Sequence, residues 1–230
     1  MTFTECTPSP FLAKSLSRNR RGVACQLGKA GATVFFTASP PGNEQVIPKE
    51  LRHLTIEAAA EEVTKRSGIG IVAYCDHSDP EQVKKLFERI DKEQNGRLDI
   101  LINNAFAAVA VSPVQSPKPF WEQDPSIEFV NNVGLTNHYI CSRYAARLMV
   151  PRKKGLIVTI SSLAGTGFLL TTTYSVGKSA CDRLASDMAH ELKNTGVVSV
   201  ALWPGGAKTE LTTAIATAIY RSFDLFIGRV

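Results

Sequence analysis

The chain has 230 residues, 44% of them hydrophobic, which is enough for one sizeable core and the length of one domain. Its 26 basic and 21 acidic side chains leave a formal net charge of +5, scattered except at Arg18/Arg20/Arg21 and Arg152/Lys153/Lys154, and no interleaved aromatic residues make a nucleic-acid platform of either cluster. Five cysteines at wide spacings, Cys6, Cys25, Cys75, Cys141 and Cys181, argue against disulfide or zinc frameworks and for a reducing, intracellular compartment, and no apolar run reaches the roughly 18 residues of a membrane span.

In chain order, residues 1–21 are Ser/Thr-rich and basic with Glu5 as their lone acid, a faint transit-peptide character without a secretory apolar core. From Gly22 onward short β-branched runs alternate with stretches of helical period. Helices are predicted around 21–29, 56–66, 80–93, 126–149 and 174–194, and strands at 33–37, 69–75, 98–102, 155–160 and 197–203. Pro-rich loops fall at 40–48 and at 112–120, "SPVQSPKPF". Strands separated by helices must be parallel, so the fold class is α/β, a doubly wound parallel sheet with helices on both faces. Such sheets bind ligands outside the carboxyl ends of their strands.

Chemistry-bearing residues gather at those ends. Tyr174 and Lys178 in "YSVGK" are four apart and share a helix face. An ammonium beside a phenol favours the phenolate, and such a tyrosine can pass a proton to or from a hydroxyl or carbonyl. Twelve residues before Tyr174, Ser162 closes the run "GLIVTISS", where its hydroxyl can bond a substrate oxygen or simply cap a turn; Ser161 is its close rival.

The segments "NNA" (103–105), "NNVG" (131–134), "ISSLAG" (160–165), "YSVGK" (174–178) and "PGGAKT" (204–209) together resemble the short-chain dehydrogenase/reductase family in order and spacing, from about residue 21 to 211. The resemblance implies an oxidoreductase that interconverts a small-molecule carbonyl and a secondary alcohol with NAD or NADP. It makes Tyr174 the acid/base, with Lys178 favouring its phenolate and binding the nicotinamide ribose, Ser162 holding the substrate oxygen, and Asn131 holding a relay water. Asp76 would contact adenine, Asn104 and Ala105 would line the cofactor cleft, and Pro204, Gly205 and Thr209 would sit by the carboxamide. Each has a structural alternative: Asn131 as support for a strand, Asp76 as a helix cap, Pro204–Gly205 as an ordinary turn. A homodimer or tetramer through helices 126–149 and 174–194 is the expected assembly, with a cytoplasmic or endoplasmic-reticulum-associated location.

The departures are specific. Where the family carries a threonine and three glycines before its first helix, this chain has Ala13, Lys14, Arg18 and Arg20, whose side chains crowd a phosphate and disfavour a tight turn. The expected first strand, residues 7–12, reads "TPSPFL", and two prolines are hard to place in a central strand, so that strand is expected to be lost or degenerate. Phe106 replaces a glycine, Ser39 stands near where an arginine often marks NADP preference, and no clear seventh strand is read after Leu211. The segments 1–20 and 212–230 are therefore divergent ends on a domain at 21–211. An inactive relative or truncated product, serving as a binding or oligomerisation scaffold, is the alternative reading.

Overall fold

A computed structural model describes residues 2–6, 18–39, 55–106, 119–123, 131–169 and 171–205. In chain order these form β1 (Thr2–Cys6), α1 (Arg18–Lys29), β2 (Thr33–Ala38), α2 (Ile56–Lys65), β3 (Ile69–Tyr74) and α3 (Pro80–Glu93). Then follow β4 (Ile100–Asn103), α4 (Asn137–Met149), β5 (Gly155–Ile160), α5 (Thr172–Glu191) and β6 (Val197–Leu202). The sheet runs β3-β2-β1-β4-β5-β6, parallel throughout.

The inner strands β2, β4 and β5 read as apolar runs because both of their faces are buried. Alternate residues of these strands serve opposite cores. Phe35, Leu101 and Ile157 point to one core with Val83, Phe87 and Ile90 of α3 and Cys141, Ala145 and Met149 of α4. Val34, Phe36, Ile102 and Val158 point to the other, with Ala24 of α1 and Ile56, Ala59, Ala60 and Val63 of α2.

The expected loss of the first strand is corrected. Thr2–Cys6 occupies the centre of the sheet, pairing Thr2 with Thr33 of β2 and Phe3 with Ile100 of β4. This segment lies ahead of Pro8 and Pro10 and has none of its own, so every backbone donor is available to the ladder. "TPSPFL" itself lies outside the described residues.

Most other boundaries agree with the sequence to within a few residues. Pro80 opens α3, capped by Asp79, whose Oδ1 accepts hydrogen bonds from the Glu81 and Gln82 amides at 2.9 and 3.4 Å. The helix predicted at 126–149 is interrupted instead. Backbone angles at Val133 (φ −111°, ψ 78°) and Gly134 (φ 161°, ψ −15°) break it, and regular α4 starts only at Asn137. The outer edge of β3 is covered by side chains: Thr64 Oγ1 accepts from the Gly70 amide at 3.1 Å and Arg89 donates to the Val72 carbonyl at 3.4 Å. At the opposite edge, β6 leaves Val198, Val200 and Leu202 exposed.

Candidate active site

Helix α5 begins beside the carboxyl ends of β5 and β6. Thr171 caps it, its hydroxyl accepting from the Tyr174 amide at 3.1 Å, which places Tyr174 in the first turn and Lys178 one turn further in. Lys178 is only 6% exposed. Its ammonium donates to the carbonyl of Ile160, the last residue of β5, at 3.0 Å, and lies 5.9 Å from the centre of the Tyr174 ring. Burial pushes this ammonium's pKa below the usual lysine range, with Cys181 and Asp182 opposing that shift.

The two serines divide. Ser161 is buried and donates its hydroxyl to the Lys178 carbonyl at 3.0 Å, tying β5 to α5. Ser162 is half-buried and accepts from the Ala164 amide at 3.2 Å, capping the short turn Leu163–Thr166. An accepting hydroxyl keeps its own proton, so the cap leaves Ser162 free to act as a donor.

Asn131 lies against the same helix. A Cβ built on Gly177 would stand 2.5 Å from Asn131 Oδ1, so the missing side chain at 177 is what lets the amide rest on α5 between Tyr174 and Lys178.

At the end of β4, Asn103 is fully buried and its Nδ2 donates to Ser142 Oγ at 2.8 Å and the His138 carbonyl at 3.4 Å, a structural tie between β4 and α4. Asn104 is half-buried and Ala105 buried. The Ala105 carbonyl accepts from His138 Nε2 at 2.9 Å; on the other side of the ring Nδ1 is 3.9 Å from Cys181 Sγ, which donates to the Gly134 carbonyl at 3.1 Å.

Complete burial, then the charge of Lys178, push the His138 pKa down from 6.5 to about 3. The folded chain therefore refuses a proton that the unfolded chain accepts below pH 6.5, and stability falls as pH drops from 6.5 towards 3. At pH 5 the penalty is about 2 kcal/mol relative to neutral pH. Urea unfolding of His138→Gln at both values should lack most of that difference; the same pH dependence in variant and parent would show that His138 is not its source.

The remaining positions spread along the strand ends. Asp76 follows β3, its Oδ1 accepting from the Ser78 amide and hydroxyl at 2.9 and 2.7 Å; Asp79, not Asp76, is the helix cap. Pro204 and Gly205 are exposed just beyond β6, where Trp203 Nε1 donates to Asp182 of α5 at 2.8 Å. Thr209, Ala13 and Lys14 lie outside the described residues. Sequence reasoning missed His138 and Cys181, whose partners are backbone carbonyls far away in the chain.

The sequence matches the family model for short chain dehydrogenases over residues 21–219. The chain belongs to the short-chain dehydrogenase family. Among its relatives is dehydrogenase/reductase SDR family member 1 of Mus musculus, 49% identical over 193 residues, covering 83% of this chain and 58% of the mouse protein. The Homo sapiens protein of the same name is 47% identical over 193 residues with the same coverage. This short-chain dehydrogenase thus spans less than two thirds of the length of either. Its fold is shared with a metagenomic short-chain oxidoreductase solved in complex with NADP, at TM-score 0.69 and 23% identity over 90% of this chain and 83% of that one. Among the described residues no helix is long and apolar enough to cross a membrane, and no cluster of His, Cys, Asp and Glu could hold a metal ion.

Proposed function

We propose that this chain is an NAD- or NADP-dependent oxidoreductase interconverting a small-molecule carbonyl and a secondary alcohol. The observation that carries the reading is the buried Lys178 ammonium, held by Ile160 at the carboxyl end of β5 and one helical turn from Tyr174.

The residues present fit a dinucleotide at both ends. Ser39, at the end of β2, buries its Oγ without a hydrogen-bond partner among the described residues, a group that a ribose hydroxyl or phosphate would satisfy. Asp76, Asn104 and Ala105 follow β3 and β4 on the same side of the sheet, as Pro204 and Gly205 do after β6. Between these ends the first turn of α1 carries no acid, so the dipole of its N-terminus stays open to phosphate.

When bound, the nicotinamide exchanges a hydride with the substrate carbon. The chain does the rest. Ser162 donates a hydrogen bond to the substrate oxygen and orients it. Tyr174 gives that oxygen its proton during reduction and takes it back during oxidation. Lys178 supports the phenolate left behind, and Asn131, lying on α5 beside both, holds the water through which the proton is replaced.

The test is a fluorescence titration of the folded chain with NADH and NADPH. Saturable binding in the micromolar range, about −8 kcal/mol, is the expected result. No binding at millimolar nucleotide would overturn the reading and leave association as the function. For that association we place a homodimer or tetramer contact on α4 and α5, where Tyr139, Arg143, Arg147, Met188 and Leu192 line a cleft of about 510 Å³; light scattering would measure it.

A further inference from the structure

Lys178 has a neighbour that the family resemblance does not supply. Phe106 lies just beyond β4, where a glycine is usual, and its ring centre is 4.6 Å from the Lys178 ammonium. The same ring meets the Tyr174 ring edge to face, with centroids 5.5 Å apart and planes at 66°. It reaches this place through a notch in α4's irregular start. A Cβ built on Gly134 would stand 2.8 Å from Phe106 Cδ2, closer than real side chains come.

The ammonium's other surroundings make the ring matter. From its own helix Lys178 faces Tyr174, the Cys181 thiol and Asp182, whose Oδ1 is already engaged by Trp203; from α4 it faces His138, held neutral by burial; from β5 it faces the Ile160 carbonyl. A buried cation with so little opposite charge gains from the negative face of an aromatic ring, and gains more the drier the site. Ring pairs at this separation also fix each other's orientation.

We propose that Phe106 is a positioning residue, its ring holding the Lys178 ammonium and bracing the Tyr174 ring so that the pair is arranged before any nucleotide arrives. This deepens the acid/base reading of Tyr174, yet the contact with the ammonium can be measured without turnover. The ring would do from the end of β4 what a glycine cannot do at all.

The experiment follows Lys178 directly, by carbon NMR of the full chain labelled at lysine Cε, the signal assigned by its loss in Lys178→Gln. Phenylalanines carrying increasing ring fluorine at position 106 keep the shape and weaken the ring's negative face. The Lys178 titration midpoint should fall stepwise across that series, by about one pH unit at its end, a tenfold loss in the protonation equilibrium. Phe106→Leu should show a drop of the same size and Phe106→Tyr almost none. Gly134→Val, which pushes the ring away without altering it, should repeat the drop. A midpoint that stays flat across the fluorinated series overturns the proposal, and because that series is nearly isosteric, misfolding of Phe106→Leu would not rescue it. Should the midpoint follow the ring in a chain that binds neither NADH nor NADPH, the oxidoreductase reading fails and the role of Phe106 in holding Lys178 stands.

Discussion

Tyr174→Phe is expected to lower kcat by about a hundred- to ten-thousandfold, the span over which a positioned acid/base acts, while leaving the affinities for NADH and NADPH within twofold. The substitution removes one oxygen and nothing else that the structure uses. The ring that meets Phe106 at 5.5 Å stays, the Thr171 cap bonds the backbone of residue 174 and not its side chain, and Lys178 keeps its bond to Ile160. A loss of rate without a loss of binding is therefore the mark of a proton donor, whereas a structural role would move both. The measurement is nucleotide absorbance during turnover, beside fluorescence titration of each protein. A variant within tenfold of the parent rate would end the assignment of Tyr174 as acid/base.

Phe35→Ala should remove about 3 to 5 kcal/mol of folding stability. Phe35 is fully buried at the middle of β2 and faces the core shared with Val83, Phe87 and Leu101. Its neighbours in sequence, Val34 and Phe36, face the opposite core, so the chain cannot fill the void by sliding one residue without turning both faces inside out. With about 2 to 4 °C lost per kcal/mol in a chain of this size, the midpoint of thermal unfolding should drop by roughly 10 °C. Calorimetry of the two proteins decides it; a drop of only a degree or two would mean that this half of the sheet is not packed as described.

How far the sequence carried these conclusions depends on where each partner sits in the chain. The bounds of α3 were legible, because Pro80 and the spacing of Val83, Leu86, Phe87 and Ile90 are local signals, although its cap proved to be Asp79 and not Asp76. Strand β5 was equally plain as an unbroken apolar run. Strand β1 was not: "TFTEC" is short and mixed, and becomes a strand through the neighbours β2 and β4, which lie some way down the chain. Of the site, Tyr174 and Lys178 could be paired from helical spacing alone. Ser161 and Ser162, neighbours in the chain, differ in the backbone that each hydroxyl bonds, which spacing does not express. Asn131 was picked out by the family resemblance, yet its contact is with Gly177 of α5, a relation that no count along the chain expresses. Phe106 looked like a defect in a motif, and only its nearness to Lys178 gives it a use.

The two ends of the sheet differ in what they permit. At β3 the outward amide of Gly70 and the outward carbonyl of Val72 are taken by Thr64 and Arg89, so a foreign strand arriving there would have to displace both. At β6 the exposed side chains among the described residues, Val198, Val200 and Leu202, are all apolar. Thr64 of α2 and Arg89 of α3 thus guard the sheet as well as serving their own helices: a strand arriving at β3 meets a margin whose backbone is already engaged.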